Sequence, residues 1–332
     1  MSKDSTKYNS QDTSYHLDTL AQLSTSNCKE LFNKELQYQD KDKINLQKRA
    51  RAKAFTNSYL FDLIDLKSPL NKSYWNTFHC STTILQEGKK FTAKYCKNRW
   101  CLVCNRIRTA KMINGYMSSI ESFKEPRFVT LTIPNVLEKD LKSSINEMSK
   151  ALRDITKNLK KTYGIKLKAL RKYECTYNKF RGDFHPHYHL IVDGENESKQ
   201  LVNLWLNRFK TADKKGQENT KADSTSLNEL CKYFTKIIAK DTDYNPKALD
   251  IMFRAVKSQR TFQSIGIRKY VSEDVQEIQS QEIEFKENRN EIWGFDYGSG
   301  VYDWTTADGE LLSEYEPTKK DLNVINKIYD TH

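Results

Sequence analysis

Five residues near the middle of the chain, His185-Pro186-His187-Tyr188-His189, constrain its fold more than any other stretch. In a strand, alternate side chains point to one face. His187 and His189 then project together, and Tyr188 turns the other way, toward a core. The chain has 332 residues and 6 histidines, of which half fall within this one motif. Two neutral imidazoles on one face are an efficient start to a divalent-metal site. A histidine-rich surface strand is the plainer alternative.

A third ligand follows from hairpin geometry. Leu170–Tyr177 and His187–Val192 read as strands, joined by the turn-rich stretch 178–183. With the turn centred between Phe180 and Arg181, Glu174 falls opposite His187 and shares its face. A slip of one residue turns Glu174 away, and His185 is the competing ligand.

The neighbouring patterns extend this hairpin into an α+β unit. Arg127–Ile133 alternates and is β-branched, a strand that Pro134 ends. Leu137, Leu141, Ile145, Met148, Leu152, Ile155 and Leu159 recur at steps of three and four, the signature of a long amphipathic helix. Leu201, Leu204, Trp205 and Phe209 give a second helix, and a third is expected from about Ser226 to Lys240. Such an order suits helices packed on a largely antiparallel sheet. A further hairpin is expected within 293–316, with Asp308-Gly309 as its turn.

On the third helix, Glu229, Tyr233 and Lys236 line one face. A carboxylate, a phenol and an ammonium in a row suit covalent phosphoryl transfer. Tyr233 supplies the nucleophile, and Lys236 lowers its pKa or balances phosphate charge. Glu229 serves as base for a second nucleophile. Taken alone, the pattern reads equally as a solvated helix face.

Cys80, Cys96, Cys101 and Cys104 give four thiolates, the number that tetrahedral zinc takes, with His79 as an alternative to Cys80. Lys97, Arg99, Arg106 and Arg108 interleave with them and are expected to meet DNA phosphates. Charge supports a polyanionic partner. Residues 271–332 hold 15 acidic and 5 basic side chains, so the first 270 carry +22 of a chain whose net is +12. No apolar run is long enough to span a bilayer and no signal core opens the chain, so a cytoplasmic protein without membrane contact is expected. There is no Walker-type phosphate loop.

Together these motifs resemble the HUH endonucleases, and among them the initiators of rolling-circle plasmid replication. The resemblance is carried in order by the cysteine cluster, Phe128-Val-Thr-Leu-Thr132, the histidine motif and Glu229-x-x-x-Tyr233-x-x-Lys236. Tyr173–Tyr177 and Arg260–Gly266 add to it, and it covers about residues 75–270. It implies an antiparallel nuclease core, His187 and His189 as ligands of Mg²⁺ or Mn²⁺, and Tyr233 as the residue that keeps the 5′-phosphate. It implies double-strand origin DNA and single-stranded DNA as substrates, and host helicase, polymerase and single-strand-binding protein as partners. Mobilisation relaxases and small transposases share the chemistry, and a zinc-dependent DNA-binding regulator is the non-enzymatic rival. The expected division is a basic, polar arm over 1–70, partly disordered or helical from about Asn27, and a zinc module over 71–115. The nuclease domain follows over 116–270, and an acidic region with a β-hairpin over 271–332.

Overall fold

The computed structural model describes residues 38–88, 90–223, 226, 230, 245–269 and 289–326. The helices are α1 (Tyr38–Asp65), α2 (Asn71–Phe78), α3 (Leu102–Glu121), α4 (Glu138–Tyr163), α5 (Glu195–Arg208), α6 (Pro246–Val256) and α7 (Lys319–Asn326). The strands are β1 (Thr83–Gly88), β2 (Lys90–Ala93), β3 (Pro126–Thr132), β4 (Ala169–Asn178), β5 (Asp183–Asp193), β6 (Glu218–Lys221), β7 (Phe262–Ile265), β8 (Arg289–Asp296) and β9 (Asp303–Thr305). They form a five-stranded sheet, β6-β3-β5-β4-β7, and a four-stranded sheet, β2-β1-β8-β9. Every pairing is antiparallel, so the architecture is α+β with helices packed on antiparallel sheets.

The large sheet has one face for packing and one for chemistry. On the packing face Tyr188 meets Trp205 of α5 edge-on, and Trp205 donates its indole N–H to the Thr132 carbonyl at 2.8 Å. Helix α4 buries Leu141, Ile145, Met148, Ala151, Leu152, Ile155 and Leu159. Each of the leucine, isoleucine and methionine side chains contributes roughly 1.5–3 kcal/mol through burial. Glu138 and Asp140 in its first turn and Lys160 and Lys161 in its last complement the helix dipole. Leu137, expected within the helical stripe, is instead its N-cap and is half exposed. Gly164 ends the helix at φ +70°, a conformation that suits glycine.

Three features differ from the sequence reading. Of the expected arm over 1–70, residues 1–37 lie outside the described residues. From Tyr38 onward the chain is helical, as one of the two alternatives had it, but this helix, α1, is buried on nearly all sides and does not stand out as an arm. Its apolar stripe was obscured because it also buries Arg49, Lys53, Asn57 and Asp62. Arg51 pairs with Asp321 of α7 at 2.6 Å, joining the two ends of the described chain.

The C-terminal strands form no separate region. β8 pairs with β1, setting Trp293 opposite Ile84 and completing the sheet that begins beside the cysteines. Segments this far apart in sequence leave no local signal of their pairing. Finally, the expected 293–316 hairpin turns elsewhere: β8 and β9 are joined through 297–302. Asp308-Gly309 closes a tight turn with only one bridge, Thr305 to Leu311. No helix among the described residues is long and apolar enough to cross a membrane.

Candidate functional site

Strand β5 carries His185, His187 and His189 on the face away from Tyr188, and the turn fixes what lies opposite them. Asn178 Oδ1 accepts the backbone N–H groups of Phe180 and Arg181 at 3.0 and 3.1 Å, and Gly182 adopts φ +67°. This turn sets the register in which Glu174 pairs with His187 and Lys172 with His189.

The result is a compact donor set. Glu174 Oε2 lies 3.6 Å from His187 Nε2 and 3.5 Å from His189 Nε2. The donor atoms of the three residues all fall within 4.8 Å of one another. Metal–ligand bonds of about 2.1 Å place neighbouring donors roughly 3.0–3.4 Å apart, so the set fits one divalent ion with little adjustment.

Surrounding groups aim these ligands. His187 Nδ1 lies 3.0 Å from the His185 carbonyl, which accepts its N–H and leaves Nε2 as the lone-pair donor. His189 Nδ1 lies 3.1 Å from Thr130 Oγ1, whose hydroxyl is 3.2 Å from Glu218 Oε2. With the hydroxyl donating to Glu218, the imidazole N–H donates to Thr130, and Nε2 again faces Glu174. The ring of Phe128 stacks on His189. Lys172, buried, bonds Glu174 Oε1 and leaves Oε2 to the site. Burial alone would push the Glu174 carboxyl up. The adjacent Lys172 ammonium, foremost, outweighs it and holds the group well below the usual carboxylate range. Lys172, Thr130 and Glu218 were missed in the sequence. Only the alternation within β3 and β4 hinted that the first two share the histidine face.

His185 is arranged differently. Its Nδ1 lies 2.8 Å from Asn135 Oδ1, and Asn135 in turn donates to Asp183 Oδ1 at 2.7 Å. It stands one step along the strand from the donor set, not within it. Of the tyrosine motif, Glu229, Tyr233 and Lys236 lie outside the described residues, as does most of the third expected helix. Leu230 is described: it is buried against Phe128, Leu170 and Ile191, which share the histidine face of the sheet.

A second donor set joins α3 to the small sheet. The sulfurs of Cys80, Cys96, Cys101 and Cys104 lie within 4.8 Å of one another, with Cys104 3.5 Å from Cys80 and 3.6 Å from Cys96. A tetrahedron with Zn–S bonds of about 2.3 Å has edges of about 3.8 Å. Each sulfur accepts one backbone N–H. Cys96 bonds Cys80 at 3.3 Å, and Asn98 bonds Cys96 at 3.4 Å. Cys104 bonds Cys101 at 3.4 Å, and Lys97 bonds Cys104 at 3.3 Å. Three buried sulfurs and one half-buried, each facing a donor, suit thiolates, the form in which cysteine holds a metal ion. His79 stacks on Trp75 and is not part of this set.

The four cations near the cysteines serve unequal ends. Arg99 donates to the Val256 carbonyl at 3.0 Å, bracing the module on α6. Arg106 is half-buried near Arg49 and Arg51. Arg108 donates to Asn105 Oδ1 and to the Lys97 carbonyl, both at 2.7 Å. Lys97 and Arg108, together with Lys111, line a cleft of about 560 Å³ beside Cys104.

Comparison with known proteins points the same way. Residues 87–197 match the family described as "Replication protein". A "Protein rep" of Staphylococcus aureus is 34% identical over 114 residues, 32% of this chain and 49% of that protein. A "Protein rep" of Streptococcus pneumoniae serotype 2 is 31% identical over 110 residues, 31% of this chain and 33% of that protein. One from Bacillus amyloliquefaciens is 31% identical over 135 residues, 37% of this chain and 40% of that protein. The chain thus spans half or less of the length of these relatives, and no solved structure matches it. The similarity to replication proteins lies over this segment, which contains Cys96, Cys101, Cys104, Glu174, His187 and His189.

Proposed function

We propose that the protein initiates rolling-circle plasmid replication in the cytoplasm by nicking one DNA strand and joining itself to the 5′-phosphate through Tyr233. The observation that carries this reading is the convergence of Glu174, His187 and His189 on one face of the sheet. Their match to a replication-protein family supports it.

A bound Mg²⁺ or Mn²⁺ would supply Lewis-acid polarisation and orientation of the scissile phosphate. The chain's own groups do the rest. His187 and His189 offer aligned Nε2 lone pairs, Glu174 offers one oxygen, and Lys172 holds the other. Leu230, three residues before Tyr233 in the chain, is buried on this face of the sheet. In the proposed reaction the Tyr233 oxygen attacks phosphorus, the bond to the 3′ oxygen breaks, and that oxygen leaves as a hydroxyl. The phosphotyrosine keeps the bond energy, so no ATP is consumed, and the free 3′ end primes synthesis. Glu229 then activates the nucleophile that releases the displaced strand. The cysteine module holds a structural zinc that contributes folding energy.

The test is incubation of the purified protein with its own supercoiled replicon and Mn²⁺. Nicked circles with protein attached at the 5′ end support the reading. Bound but uncut circles would assign the chain to a non-enzymatic regulator.

A further inference from the structure

The end of the β4–β5 hairpin offers a surface that the nuclease reading does not use. Phe180 is 89% exposed, more than any other large apolar side chain among the described residues. A single exposed apolar residue is ordinary, but this one is held out by a rigid frame. The two bonds to Asn178 Oδ1 and the Gly182 N–H to the Asn178 carbonyl, 2.8 Å, fix the turn that presents it. It also sits between cations. Lys179 Nζ lies 5.2 Å from the ring centroid, and the Arg181 side chain is 60% exposed while pairing with Asp183.

Behind the tip lies a cleft of about 430 Å³ with a polar floor of Asn135, Thr176, Asn178 and His185. That floor continues to the metal ligands. Successive pairs Glu174–His187, Thr176–His185 and Asn178–Asp183 share one face of the hairpin. Four strand residues cover roughly 13 Å. That is the length of a few nucleotides at about 3.4 Å per stacked step, and of fewer when the strand is extended. A strand whose phosphate sits between the histidines therefore reaches the tip within a few nucleotides.

An aromatic face beside two cations, at the end of a polar track, fits unpaired bases better than duplex. In a duplex the base faces are stacked and closed to a side chain. We propose that the hairpin tip is a single-stranded DNA contact: Phe180 stacks on a base near the scissile phosphate, and Lys179 and Arg181 hold the adjoining backbone. The proposal rests on the nuclease reading only for where the scissile phosphate lies.

The experiment measures binding of fluorescein-labelled oligothymidylate, and of an equally long strand of abasic residues, by anisotropy. Phe180→Ala should weaken oligothymidylate binding about five-fold or more, the loss of one stacked base, and leave the abasic strand unaffected. Phe180→Trp should restore it. Lys179→Ala combined with Arg181→Ala should weaken both strands alike. Oligothymidylate binding by Phe180→Ala equal to that of the unaltered protein, or an equal loss on the abasic strand, would overturn the proposal. Manganese titration of Phe180→Ala should match the unaltered protein, as expected for a surface change away from the ligands. Nicking by the unaltered protein without any Phe180 effect on binding removes the tip and keeps the nuclease. A Phe180 effect without nicking removes the nuclease and keeps the tip.

Discussion

Glu174 stands directly across the β4–β5 ladder from His187, with its Oε2 3.6 Å from His187 Nε2. The same oxygen is 3.5 Å from His189 Nε2, while His185 bonds Asn135 instead. These positions rank the candidate ligands. His187→Ala, His189→Ala and Glu174→Ala should each abolish cleavage and weaken Mn²⁺ binding by more than the roughly ten-fold that loss of a partner behind a metal ligand already costs. His185→Ala should weaken binding by less. Isothermal titration with Mn²⁺ checks this, and an equal loss at His185 would make it a ligand.

Lys172 gives the site a pH signature. In its absence that ammonium no longer offsets the burial of Glu174, and the carboxyl titrates at higher pH than in the unaltered protein. Protons then compete with the metal for the same oxygen as pH falls. Lys172→Met should therefore bind Mn²⁺ nearly as well as the unaltered protein in mildly alkaline buffer and fall progressively behind it toward mildly acidic buffer. A constant ratio across that range would mean that Lys172 only shapes the site.

The histidine strand and its partner were legible because both alternate and because the turn between them is rich in turn formers. The register then places Glu174 without further information. The burial of helix α1 was not legible: Arg49, Lys53, Asn57 and Asp62 occupy buried positions that an amphipathic pattern reserves for apolar residues. The β1–β8 pairing was not legible either, because register between distant segments is set by packing, as with Trp293 donating to Gln86 at 3.1 Å. Lys172 and Thr130 escaped notice because a lysine and a threonine in strands look like solvated or β-branched fillers until the facing histidines are placed.

The cysteine set should hold one zinc per chain. Cys101 also caps α3, through the bond that its sulfur accepts from the Cys104 N–H. Cys101→Ser should accordingly unfold at lower temperature and lose zinc, beyond any effect on nicking. Chelation of the zinc should destabilise the unaltered protein in the same direction, because its binding energy of roughly 10–16 kcal/mol in small zinc domains is folding energy. Elemental analysis and thermal melts decide this; chelator-free protein without zinc would refute it.

Glu229 separates the two halves of the proposed reaction. The first nick needs the tyrosine and the metal, whereas release needs a base for the second nucleophile. Glu229→Gln removes basicity and keeps shape, so first-nick rates should stay near normal while covalent adducts or over-length products accumulate. An exposed Glu–Lys pair worth about 0.3–0.5 kcal/mol would leave both steps unchanged. Equal loss of both steps would give Glu229 a positioning role instead.

The most direct measurement is the identity of the residue joined to DNA. The protein is incubated with its supercoiled replicon and Mn²⁺, the DNA is digested, and the modified peptide is read by mass spectrometry. The account predicts a nucleotide linked through its 5′-phosphate to Tyr233, and no adduct from Tyr233→Phe, which should still bind DNA. An adduct on another residue, or one that persists in Tyr233→Phe, would contradict it.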